Sequence, residues 1–149
     1  MIEIFVDADA CPVKDEIYDV AARYGIYVVL VANSRLGTPP GLGVEMVVVD
    51  RTPDAADDWI AVNIRAGDVV VTADIPLAAR CLEVGARALG TNGKPFNEDS
   101  IGGALAIRQL KSELREMGLD STGPQALSQR DRSRFSEGLD QIVQAALRA

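Results

Sequence analysis

Short apolar runs alternating with stretches of helical period constrain this chain more than any other feature. The runs cover residues 2–6, 26–32, 44–49, 68–72 and 86–89. Each is too short for a helix and is bounded by turn-forming residues, which marks it as a strand. Between them lie helical patterns: one opened by Asp9 and Pro12 and running to about Tyr24, one from 54 to about 66, and one over 75–84. Gly25 and Gly85 stand where the first and third should stop. Strands alternating with helical stretches give a mostly parallel sheet covered on both faces. The unbroken apolar run 26–32 is expected to be buried on both sides. The predicted fold class is therefore α/β: three layers, α/β/α, around a mostly parallel central sheet of about five strands.

The remainder is helical in character. Residues 33–43 read as a loop from their Gly and Pro content, and as a candidate flap. Ile101, Leu105, Ile107, Leu110 and Leu114 recur at near-helical spacing and predict a helix over 97–117, closed by Gly118. After a loop at 119–127, Ser128 and Asp131 have the spacing of a capping box for a last helix over 129–147. No repeat or long linker divides the 149 residues, so one domain is expected, with these two C-terminal helices packed on it.

Composition removes several function classes. The chain has no histidine, which excludes imidazole zinc sites, Ser-His-Asp triads and histidine general bases. The net charge is −7, from 22 acids and 15 bases, which argues against a general positive coat for duplex phosphate. A nucleic-acid enzyme is not excluded, because carboxylates that hold metal ions count as negative in that sum. Two lone cysteines, Cys11 and Cys81, read as buried thiols of a reducing compartment. The segment MIEIFVDADA has no basic region and meets an acid at position 3, unlike a signal peptide. No apolar run approaches the roughly 20 residues of a membrane span, so no membrane partner and a cytoplasmic location are expected.

The sheet rule converts strand positions into a site. Ligands of open α/β sheets collect at the carboxyl ends of the strands. Asp7 and Asp9 follow the first strand and Asp74 the fourth. If those strands are neighbours, their ends lie roughly 4.8 Å apart, within reach of a shared ion. Three carboxylates so placed repel one another unless a cation intervenes, and hard oxygen donors favour Mg2+ or Mn2+. Asp54, Asp57 and Asp58, at i, i+3 and i+4, share a helix face at the same edge. Thr72 and Asn33 fall there too. The plainer alternative is that these acids cap helices, Asp54 and Asp9 above all.

The motifs VDADACPVKDEI, TPDAADDWI, AGDVVVTADIPLA, TNGKPF and GPQALSQRDRSRF resemble the YaiI/YqxD family of uncharacterised bacterial proteins over nearly the whole chain. That family is similar to PIN-like domains, whose better-known members are metal-dependent ribonucleases. The resemblance implies catalytic roles for Asp7, Asp57 and Asp74, and metal ligation by those three together with Asp9. Thr72 matches the hydroxyl before the fourth-strand acid. It also implies RNA as substrate, with one or two Mg2+ or Mn2+ ions as cofactor. One departure stands out: many PIN domains carry a second acid where this chain has Pro76.

Other residues give weaker signals. Arg35 and Lys94, in loops after the second and fifth strands, are candidates for phosphate contact, and Asn33 and Asn92 for substrate contact. Asn92-Gly93 is by default a tight turn. Arg130, Arg132 and Arg134 alternate, so at most Arg130 and Arg134 share a helix face, offering either pairing with nearby acids or a clamp for RNA. Two readings result: a metal-dependent nuclease or phosphodiesterase acting on RNA, and a non-catalytic metal- or nucleotide-binding regulatory module on the same fold.

Overall fold

The computed structural model describes residues 2–39, 43–97, 101 and 127–149. Its centre is a six-stranded sheet: β1 (Glu3–Asp7), β2 (Tyr27–Ala32), β3 (Val44–Val48), β4 (Val69–Val71), β5 (Arg87–Leu89) and β6 (Pro95–Phe96). The order across the sheet is β3-β2-β1-β4-β5-β6. Strands β1 to β5 run parallel, and β6 pairs antiparallel with β5. The helices are α1 (Lys14–Tyr24), α2 (Ala55–Asn63), α3 (Ile75–Glu83) and α4 (Gln129–Arg148).

Alternation along the strands builds two cores. Ile4, Val6, Leu30 and Val71 face one side, where they meet Ile17 and Val20 of α1 and Phe135, Leu139 and Val143 of α4. Phe5, Val29, Val31 and Val70 face the other, against Ile60 of α2 and Leu77, Ala78 and Cys81 of α3. The result is the expected α/β/α sandwich. β2 is buried along its length after Tyr27, as its unbroken apolar run implies, because it lies inside the sheet with a core on each face. Burial pushes the Cys81 thiol up to about 11 and also raises that of Cys11, so both behave as packing residues.

Local chemistry moves several boundaries. The first helix begins at Lys14, not near Pro12, because Ala8–Ala10 form a 3-10 turn first. α2 ends at Asn63, short of 66: Ile64 turns extended and Gly67 takes φ 91. The Asp68 carboxylate holds that reversal by accepting the Arg65 N–H at 2.9 Å. β6 was not foreseen, since two residues carry no readable period; Asn92-Gly93 forms the expected turn leading into it. That turn packs on α4 so closely that a Cβ on Gly138 would overlap the Gly93 carbonyl oxygen. The Ser128–Asp131 capping box is present with both reciprocal hydrogen bonds. Apart from residues 97 and 101, the latter helical and buried, the helix expected over 97–117 and most of the loop 119–127 lie outside the described residues. No described helix is long and apolar enough to cross a membrane.

Candidate functional site

β1 and β4 are neighbours, with Val6 opposite Val71, which meets the condition the acidic site required. The chain runs outward from β1 to β2 and β3, then returns to β4 on the other flank. Such a reversal leaves a crevice beyond the carboxyl ends of the two central strands. Asp7 ends β1, and Thr72 and Asp74 follow β4. The Thr72 hydroxyl, buried to 1% exposure, donates to Asp7 Oδ2 at 3.1 Å and accepts the Asp74 N–H at 2.9 Å. Asp74 in turn caps α3, its Oδ1 accepting the Leu77 N–H at 3.0 Å. Thr72 thus works as a buried tie between two acids.

Asp9 does not cap α1. Its position in the 3-10 turn directs Oδ2 to the Asn33 N–H at 2.9 Å, joining the end of β2 to the site. Asp57 stands in the first turn of α2. Asp7, Asp9, Asn33, Asp57 and Asp74 line one pocket of about 270 Å3. Two residues not singled out from the sequence, Asp50 and Arg51, line it as well, in the loop between β3 and α2. Only the folding of that loop places them there; charge in a segment after a strand was the available signal.

The acids stress one another. Asp57 is pushed up to about 6, first by burial and then by the charges of Asp74 and Asp7, with a hydrogen-bonding contact to Asp74 and the charge of Asp54 adding to the rise. Burial is also the leading cause of the raised Asp7 carboxyl; Thr72 opposes it, while Asp74 and Asp9 reinforce it. None of Asp7, Asp57 and Asp74 forms an ion pair with a described residue.

The donor set fits a hard divalent cation: carboxylate oxygens only, uncompensated, with no imidazole or nearby thiolate ligand. Asp7, Asp9 and Asp74 each have one oxygen anchored by a protein donor, and Asp74 is also in hydrogen-bonding contact with Asp57. Among the described residues, however, no three His, Cys, Asp or Glu side chains stand close enough together to hold an ion as they are. The acids converge on a pocket whose spacing is wider than a closed coordination shell.

The remaining candidates lie elsewhere. Asp58 pairs with Arg80 at 2.9 Å on the α2–α3 surface, and Asp54 takes the N-cap position of α2 without a side-chain cap bond. Arg35, Asn92, Lys94 and Arg130 are exposed and outside the pocket lining. Asn92 Oδ1 accepts the Lys94 N–H at 3.0 Å within its turn. Arg132, not Arg130, reaches across to α1, bonding Glu16 Oε1 at 3.1 Å and the Pro12 carbonyl at 3.0 Å. Pro76 sits in the first turn of α3, where its missing N–H is not needed.

The likeness read from the motifs is matched by comparison with known proteins. The family model described as "Uncharacterized BCR, YaiI/YqxD family" matches residues 5–145. A UPF0178 protein of Rhodospirillum rubrum is 52% identical over 148 residues, covering 99% of both chains. One from Parvibaculum lavamentivorans is 55% identical over 148 residues, 99% of this chain and 97% of its own. One from Caulobacter vibrioides is 53% identical over 146 residues, 98% of this chain and 95% of its own. No solved structure matches. The chain belongs to the YaiI/YqxD family of uncharacterised bacterial proteins.

Proposed function

We propose that the acidic pocket binds Mg2+ or Mn2+ and that the chain is a PIN-like hydrolase of RNA phosphodiester bonds. One observation carries the reading. Asp7, Asp57 and Asp74 arrive from three different elements at one pocket, and burial, reinforced by the charges of Asp74 and Asp7, holds Asp57 near 6. A fold tolerates such stress where a cation relieves it.

When bound, a divalent ion supplies a more acidic water and positive charge for the leaving oxygen. The chain's own part is to hold and aim. Asp7 Oδ1 and Asp74 Oδ2, the oxygens not taken by the Thr72 hydroxyl and the Leu77 N–H, are assigned to the ion. Asp57 completes the set from α2, and Asp9 assists. Thr72 acts as a positioning residue, fixing the Asp7 carboxylate through Oδ2 and the turn at Asp74 through its N–H. Such outer hydrogen bonds commonly set ligand orientation and affinity. Asn33 is held over the pocket by Asp9 and is assigned to substrate.

The test is cleavage of a single-stranded RNA oligonucleotide with Mg2+ or Mn2+ by wild type, Asp7→Asn and Asp74→Asn. Cleavage by wild type that falls at least about a hundredfold in both variants is expected from loss of an ion-holding carboxylate. Equal cleavage by all three ends the nuclease reading. The second reading, a non-catalytic metal- or nucleotide-binding module, draws on Pro76, which replaces the second acid after β4. Mn2+ binding without cleavage by the wild type would select it.

A further inference from the structure

We propose that Arg51 receives a backbone phosphate of the RNA at the rim of the acidic pocket, which makes binding independent of base sequence. The proposal rests on the nuclease reading for its substrate and names the contact that reading lacks. The residues suggested by position alone, Arg35, Lys94 and Arg130, are all outside the pocket.

Arg51 is the Lys or Arg among the described residues that lines the pocket, where it shares the lining with Asp7, Asp9, Asp50, Asp57 and Asp74. It forms no ion pair with any of them. That is unexpected for a long cationic side chain beside five acids, since collapse onto a carboxylate gains a charge-assisted bond. The Val49 N–H is tied to the Ala32 carbonyl at 2.9 Å, and the Ala55 N–H to the Thr52 carbonyl at 3.2 Å. Arg51 lies between a strand end and a turn, exposed to solvent where it lines the pocket.

A free guanidinium in that place suits a phosphate better than a base. Its planar fork offers two parallel donors to two phosphate oxygens. An anionic strand approaching five carboxylates meets repulsion that the cations of the site must offset, and Arg51 supplies a fixed share at the entrance. Among the described residues no aromatic lines the pocket, so stacking on a base has no platform from them. Contact with phosphate carries no sequence information.

The experiment measures binding of fluorescent oligo-U and oligo-A to wild type, Arg51→Ala, Arg51→Lys and Arg148→Ala, by anisotropy with Ca2+ or Mn2+ present, across a salt series. Mn2+ affinity is measured in parallel by calorimetry. Arg51→Ala should weaken both oligonucleotides about tenfold, by the same factor, and reduce the salt slope by about 1. Arg51→Lys should recover part of the loss, while Mn2+ affinity stays within about twofold. Arg148→Ala, which removes the same charge at the far end of α4, should bind as wild type. The proposal fails if Arg51→Ala binds RNA as wild type does, whether or not the wild type cleaves. It fails too if Mn2+ affinity falls in step, since Arg51 would then act by shaping the pocket. A wild type that binds no RNA overturns both this contact and the nuclease reading. A wild type that binds through Arg51 but never cleaves overturns the nuclease reading alone.

Discussion

The two ends of the central sheet use aspartate in opposite ways. At the amino end, Asp68 is 5% exposed and fully engaged: Oδ1 accepts the Glu3 N–H at 3.0 Å and Oδ2 the Arg65 N–H at 2.9 Å. It fastens the start of β1 to the turn before β4. At the carboxyl end, Asp7, Asp9 and Asp74 are each anchored through one oxygen, and Asp57 is crowded by its neighbours. A buried carboxylate with its valence filled serves structure. Carboxylates that converge with oxygens to spare work against the fold unless something binds them. The same residue type thus divides by hydrogen-bond accounting, where burial alone would separate them poorly.

The sharpest way to break this contrast is Asp68→Ala. It strands two backbone donors and removes two charge-assisted bonds, so stability should drop by about 3 kcal/mol, read from the urea midpoint. Its Mn2+ affinity should be unchanged. A loss below about 1 kcal/mol would mean Asp68 is no more structural than the acids opposite.

Thr72→Val probes the boundary between the two kinds of residue. The buried hydroxyl supports both Asp7 and Asp74, so the change should cost about 1–2 kcal/mol and weaken Mn2+ binding roughly tenfold. Stability lost without any change in affinity would make Thr72 a structural residue only.

Asp57→Asn should move stability the other way. The folded carboxyl sits at about 6, above the ordinary 3.8, so folding opposes its ionisation. The penalty is therefore present above pH 6, shrinks as pH falls through 6, and is gone below the unfolded value near 3.8. With the group half-exposed and partly screened, the variant should melt about 2–4 °C higher than wild type at pH 7.5 in the absence of divalent ions. At pH 3.5 the two should coincide. A variant that melts lower at pH 7.5 would show that Asp57 stabilises the fold.

Much of this was legible in the sequence because local rules and tertiary context agree. The run 26–32 reads as a doubly buried strand and lies inside the sheet. Ser128 and Asp131 announce a cap that forms as written. Asp7 and Asp74 were placed by the strand-end rule, which needed only β1 and β4 to be neighbours. What escaped depends on contacts between distant segments. Asp9 was open to two readings, a site acid or a helix cap, and neither foretold that its carboxylate binds Asn33, 24 positions away. Asp68 looked like the head of a strand, and its bond to Glu3 spans 65 positions. Asp50 and Arg51 enter the site through the path of a loop, which no periodicity reports. Arg35, Lys94 and Arg130 were named by charge and edge position, and neither fixes where a loop side chain ends up.

The central claim is that the crowding at the carboxyl end exists to hold a divalent cation. Calorimetric titration of Mn2+ and Mg2+ into wild type and Asp74→Asn tests it most directly. The account predicts saturable binding of about one or two ions to the wild type, and affinity at least roughly tenfold weaker in Asp74→Asn. No heat of binding to the folded wild type, or equal affinity in both proteins, would contradict it.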